Sequence, residues 1–146
     1  MKLRNAIFLP VAFICAVAAG CGEKGPPPGA PLGEPAPVHG KITLPSGAAL
    51  KGGTINFYPV KFEAGSKIRY EGGSIVDATG MYTAGRNGDG KGLVPGEYVV
   101  TVEPREIGEL AGSNSAQIPA KYREKSTSPL KVTVEESDNT INIELK

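Results

Sequence analysis

Several side chains in this sequence could do chemistry, and most stand without the neighbours that chemistry needs. His39 is the sole imidazole. An imidazole works as a general base only when other groups orient it, and the sequence offers His39 no such partner. It reads as an exposed residue on the polar face of an edge strand. Ser113, Ser115, Ser126 and Ser128 lie in polar stretches without the base that a serine nucleophile requires. Glu135, Glu136 and Asp138 are adjacent carboxylates. Neighbours on a strand point to opposite faces, so these read as a solvated turn and not as an acid–base pair. Asn87-Gly88-Asp89-Gly90 contains part of a calcium loop, but Gly85 and Gly96 stand where an EF-hand needs its first ligand and its closing Glu. No GK[ST] follows the glycines, so they are not a phosphate loop. Tyr58, Tyr70, Tyr82, Tyr98 and Tyr122 could stack on sugars. Of these, Tyr70 and Tyr98 fall on apolar faces, while Tyr58 and Tyr82 are expected to point outward. Both cysteines, Cys15 and Cys21, precede residue 22, which leaves the rest of the chain without a Cys-based metal site or internal disulfide. These patterns predict no catalytic residue, no cofactor and no metal.

With 146 residues, the chain has room for one domain. Gly and Pro number 20 and 13, well above average usage, and they cluster. The formal charge is +1, and Lys2 and Arg4 fall in a segment expected to be removed. The remaining 14 Lys and Arg against 15 Asp and Glu give −1. That balance argues against a nucleic-acid partner, which would need an excess of cations.

The N-terminus has the plan of an export signal. Lys2 and Arg4 supply a short positive region, and Ala6 through Ala18 are almost continuously apolar. Thirteen helical residues span roughly 20 Å, short of the roughly 20 residues that a bilayer core needs. Ala18-Ala19-Gly20 then precede Cys21. This resembles the lipobox of bacterial lipoproteins, although Leu is the usual residue three before the Cys. The resemblance implies cleavage before Cys21 and a lipid on its thiol. Gly22 rather than Asp after the Cys implies the outer membrane. Residues 22–37 hold six Pro and four Gly and cannot bury enough apolar surface to offset their ordering entropy. The expected organisation is therefore a lipoprotein signal peptide over 1–20, a lipidated Cys21 with its tether over 21–37, and a folded domain over 38–146.

From Val38 the pattern turns to period two, the signature of half-buried strands. Val38, Ile42 and Leu44 share a face, as do Ile55 and Phe57, then Tyr98, Val100 and Val102. Leu130, Val132 and Val134, and lastly Ile141, Ile143 and Leu145, do the same. Met81-Tyr82-Thr83 reads as a short strand, Gly72-Gly73 as a bulge or kink, and 84–95 as a Gly-rich loop. Asp77 to Gly80 suits a turn, and Asp138-Asn139 suits a tight hairpin between the last two strands. No long helical stripe appears, beyond one turn around Ile107 to Ala111. Seven or so short strands predict an all-β sandwich.

The run from Val38 to Val102, with G-A-A-L-K-G-G-T-I-N-F, D-A-T-G-M-Y and V-P-G-E-Y-V-V-T-V in order, resembles the carboxypeptidase regulatory-like domain. That resemblance implies a transthyretin-like (prealbumin-like, Ig-like) sandwich. The stretch 118–130 is similar to one in small bacterial lipoproteins, many from planctomycetes. Transthyretin-like hydroxyisourate hydrolases carry a catalytic His on the first strand, where His39 stands. They end in Tyr-Arg-Gly-Ser, whereas this chain ends Ile-Glu-Leu-Lys. The expectation is a non-catalytic, lipid-anchored envelope module for protein interaction or structural support, with edge strands and loops as contact surfaces. The expected partners are the membrane, through the lipid, and an envelope protein or glycan. A carbohydrate-binding module is the alternative, with a degenerate hydrolase behind it.

Overall fold

The computed structural model of the chain describes residues 33–60, 71–105 and 114–146. Cys21, the predicted signal peptide, most of the tether, Tyr70 and the turn expected around Ile107 lie outside these residues.

The chain is all-β, with nine strands and two short 3-10 turns among the described residues. The strands are β1 (Val38–Thr43), β2 (Gly53–Pro59), β3 (Gly72–Val76), β4 (Met81–Thr83), β5 (Gly85–Arg86), β6 (Gly96–Glu103), β7 (Lys131–Val134), β8 (Asn139–Thr140) and β9 (Ile143–Glu144). The 3-10 turns, Asn114–Gln117 and Ala120–Tyr122, lie between β6 and β7. The count exceeds the expected seven because β5, β8 and β9 are two-residue pieces too short to show a period.

Two sheets pack face to face. The larger has the order β5-β3-β2-β6-β7, and every pairing in it is antiparallel. In the smaller, β1 pairs antiparallel with β4 on one side and parallel with β8 and β9 on the other. Ile42 and Tyr82 from the smaller sheet meet Ile55, Phe57, Val100 and Val102 from the larger in one buried cluster. Phe57 lies at its centre, with ring centroids 6.1 Å from Tyr82 and 6.2 Å from Tyr98. Truncating such a residue to alanine typically costs about 3–5 kcal/mol. The period-two faces read from the sequence are those that the strands bury.

Four expectations change. Asp138-Asn139 does not turn a hairpin: β7 belongs to the larger sheet and β8 to the smaller, so this segment crosses between sheets. Gly72-Gly73 makes no bulge, since β3 pairs in regular register with both β2 and β5. The glycines serve close approach instead. A Cβ on Gly72 would lie 2.1 Å from the Leu93 side chain, and one on Gly73 would lie 2.9 Å from the Ile55 carbonyl oxygen. Tyr82 points inward and is 3% exposed. Finally, β1 is an interior strand, so His39 is not on an edge.

The tether's last residues join the fold. Ala36 is buried and bridges Leu93 through two backbone hydrogen bonds of 2.8 and 3.0 Å. Gly33 and Pro35 line a small cavity with Leu93, Val94 and Tyr98.

Candidate functional site

The outer face of the larger sheet carries a trough of about 560 Å³. Its floor is Gly73, where the chain lies close against Asn56, its cross-strand partner on β2. Thr54 and Asn56 form one wall, Asn87 and Gly88 the other, and Glu71 and Ile75 also line it. The second wall exists because the chain turns over itself after β5. Gly88 N–H donates to the Gly85 carbonyl and Asp89 N–H to that of Arg86. Asn87 takes a left-handed φ of 54° and Gly88 one of 75°, conformations that Asn and Gly tolerate best. Ile75, on β3, is 53% exposed.

Beside the trough lies a hydrogen-bonded polar cluster. The Asn56 side-chain amide donates to Glu103 Oε1 (3.0 Å) and Thr101 Oγ1 (3.4 Å), and Thr101 Oγ1 donates to the same Glu103 oxygen (3.3 Å). Thr101 is 1% exposed although it faces away from the core, because these neighbours cover it. Burial raises the Tyr58 phenol above its ordinary pKa; its hydrogen bond with Thr101 opposes this, and the Glu103 and Glu71 charges add to it. Lys125 Nζ sits 5.3 Å from the centroid of the Tyr58 ring. Amides, hydroxyls and carboxylates dominate this face, with Ile75 as its apolar element. Such a surface can accept and donate hydrogen bonds to a polar partner.

The smaller sheet assembles a second group that the sequence kept apart. His39 Nδ1 lies 3.4 Å from Asp138 Oδ1, and His39 Nε2 lies 3.1 Å from Thr140 Oγ1. A carboxylate, an imidazole and a hydroxyl thus form a chain, in the order of a triad's orienter, base and nucleophile. It stands on an open sheet face, with the side chains of His39 and Asp138 38% and 65% exposed. It bridges β1 to β8 where the chain enters the smaller sheet.

Other sequence candidates are placed plainly. Asp89 accepts the Lys91 N–H through Oδ1, so its carboxylate braces its own loop. Among the described residues no group of three or more His, Cys, Asp or Glu could hold a metal ion. Tyr82, Tyr98 and Tyr122 are buried in the core, and Tyr58 is half-buried. The described tyrosines therefore form no outward platform. Ser128 Oγ donates to the Val100 carbonyl, and Ser115 is buried. Glu135, Glu136 and Asp138 form the exposed turn expected of them. The trough itself was missed. Two adjacent glycines inside a strand pattern were its one signal in the sequence.

No family model matches the chain, and no curated protein matches it. Among solved structures it is similar to a variant of BcpA, the major pilin subunit of Bacillus cereus. The identity is 14% and the TM-score 0.44, over 77% of this chain and 29% of the pilin. The chain thus spans less than a third of that protein.

Proposed function

We propose that this chain is a non-catalytic module of the cell envelope, anchored by a lipid on Cys21, whose contact surface is the outer face of the larger sheet. The observation that carries the contact surface is the trough over Gly73, polar along its walls and flanked by the exposed Ile75. The sheet edges support a face contact over strand addition. β4 and β5 have three and two residues, β7 has four with Lys131 on it, and β8 and β9 are separate two-residue pieces. Short edges and edge lysines discourage pairing with another chain. The exposure of the Asp138–His39–Thr140 group supports a non-catalytic reading, because a surface hydroxyl surrounded by water gains little from its base. The anchor rests on the lipobox resemblance at Ala18-Ala19-Gly20-Cys21.

The test is photo-crosslinking in the native host. One full chain carries the crosslinker at position 75 beside the trough, and another carries it at position 41 on the opposite sheet. A discrete protein adduct from position 75 alone supports the reading. Equal labelling from both positions overturns it, and glycan fragments at position 75 transfer the surface to the carbohydrate-binding alternative. The anchor is tested separately: Cys21→Ser should move the protein out of the membrane fraction.

A further inference from the structure

We infer that β1 is the load-bearing strand of the sandwich, held in shear on both sides, so that the domain resists tension arriving through its N-terminal tether. The reading of residues 21–37 as a tether is the part of the proposed function on which this rests.

After the Ala36–Leu93 bridge the chain enters the smaller sheet at Val38 and runs along β1 to Thr43. On one flank, Ala84 N–H donates to the Val38 carbonyl and Ile42 N–H to the Gly80 carbonyl. On the other flank lies the last part of the chain, running parallel. Asn139 N–H donates to the Pro37 carbonyl (2.9 Å), Ile141 N–H to that of His39 (2.8 Å) and Leu145 N–H to that of Thr43 (2.9 Å). Because the two strands run parallel, the chain before β1 and the chain after β9 leave from opposite ends of the pair. A pull along β1 therefore loads these bonds together, whereas a pull across one end would load them one at a time. Each is worth only about 1 kcal/mol at equilibrium. The force needed to break them depends on whether they fail in concert.

The middle of the pair shows how continuity is kept. Backbone pairing lapses between β8 and β9, after the Ile141 N–H, at the Ile141 carbonyl. The Ile141 carbonyl is turned inward, where the Tyr82 hydroxyl of β4 donates to it at 2.7 Å. It passes over Gly40, and a Cβ there would lie 1.9 Å from that oxygen. The turned carbonyl leaves Lys41 N–H without its rung, and Asn142 Oδ1 supplies it at 3.0 Å. A side chain fills the gap in the ladder, and Tyr82 ties β4 across β1 to the C-terminal segment. Register is the same on both sides of the lapse: Val38 faces Asn139, and Ile42 faces Ile143.

The experiment is single-molecule pulling on the full chain. In one geometry handles sit at positions 24 and 146, which loads β1 lengthwise. In the other they sit at positions 24 and 137. Residue 137 lies at the same end of the pair as the tether, so this pull peels the same interface rung by rung. Forced unfolding reads the unfolding barrier, and the lengthwise geometry should need roughly twofold more force or greater. Equal forces, or the reverse order, would overturn the inference. Asn142→Ala removes the central rung at an exposed position. It should lower the lengthwise force and leave the peeling force unchanged, and an equal loss in both would count against the clamp. The purified chain needs no lipid for this test. A failed clamp and a failed anchor, the latter read from Cys21→Ser fractionation, are therefore told apart.

Discussion

The two sheets solve the same problem by different means. In the larger, β2 and β6 run together through the partner pairs from Thr54–Glu103 to Pro59–Tyr98, and backbone groups satisfy one another along the ladder. In the smaller, the pieces are two to six residues long, and side chains stand in for backbone. The Tyr82 hydroxyl takes the Ile141 carbonyl, Asn142 takes Lys41 N–H, and Asn139 holds the crossover that leads into β8. The difference follows from connectivity. The smaller sheet joins residues 101 positions apart, with no local turn to set register, and a one-residue slip would turn every buried side chain outward. Polar side chains with defined partners supply the register that a tight turn would otherwise supply.

The largest expected effect sets one glycine in each sheet against the other. Gly40→Ala in β1 places a Cβ against the Ile141 backbone carbonyl and the buried Tyr82 ring, and should destabilise by about 3 kcal/mol, the upper range for overpacking. Gly73→Ala in β3 meets the Ile55 oxygen at 2.9 Å and the Asn56 side-chain oxygen at 3.2 Å, and the latter can rotate away; about 1 kcal/mol is expected. Urea unfolding with unchanged m reads both. If Gly73→Ala costs as much as Gly40→Ala, the smaller sheet is not the more tightly specified of the two.

Next is the pair of amides. Asn139 accepts the Glu135 N–H at 2.8 Å and donates to the Pro37, Glu135 and Ser137 carbonyls. It is 8% exposed. Asn139→Ala should cost about 2 kcal/mol, since four hydrogen bonds to this one buried side chain are lost together. Asn56→Ala removes two bonds, but Thr101 and Glu103 keep the bond to each other, and about 0.5 kcal/mol is expected. Equal losses in thermal unfolding would erase the contrast between a side-chain-built sheet and a backbone-built one.

This contrast also explains what the sequence made legible. The strands of the larger sheet announce themselves by period two: Tyr98, Val100 and Val102 face the core as read, and so do Ile55 and Phe57. Periodicity reports which face is buried but not which strand lies alongside. For that reason Asp138-Asn139 passed for a hairpin, and β1 passed for an edge. Tyr82 was misplaced because a three-residue strand is too short to show which side is apolar. The Asp138–His39–Thr140 group and the trough depend on pairings between distant segments, His39 with Thr140 and Gly73 with Asn56 and Gly85. No spacing rule encodes those. The proposed anchor at Cys21 is the reverse case, resting on a local resemblance in the sequence at residues that the structure does not describe.

A smaller effect isolates the Tyr82 hydroxyl. Tyr82→Phe leaves the ring in the core and strands the Ile141 carbonyl, at about 1.5 kcal/mol. Burial lifts the Tyr82 phenol far above its ordinary value of 10.0 and pushes Tyr98 up to about 12. A raised native pKa contributes stability that is present in full below pH 10 and lost as pH rises toward the native value. The gap between wild type and Tyr82→Phe should therefore hold at neutral pH and narrow above pH 10, because only the wild type loses the Tyr82 contribution there. A gap constant to pH 11 would mean that the hydroxyl is reached by water in the folded chain.

The smallest effect tests the corner where the two sheets meet. Asp77 lies in the turn from β3 to β4. Its Oδ1 accepts from the Thr79 hydroxyl and N–H, both at 2.7 Å, and from Met81 N–H at 3.0 Å. The Thr79 hydroxyl is the main cause of a carboxyl pKa below its ordinary 3.8, with slight burial opposing it and backbone N–H groups of the turn adding to it. A depressed native pKa means stability that is present above 3.8 and lost as pH falls through the native value. Asn in place of Asp77 keeps the accepting oxygen and removes the charge, so the variant reports the charge alone. On an exposed turn screened by solvent the difference should be no more than about 0.5 kcal/mol at neutral pH. It should fade in thermal unfolding carried below pH 3.8. A gap that persists at pH 2 would assign the corner to hydrogen-bond geometry instead of charge, and the turn between the sheets would then obey the rule of the smaller sheet, in which side-chain oxygens hold what backbone pairing cannot reach.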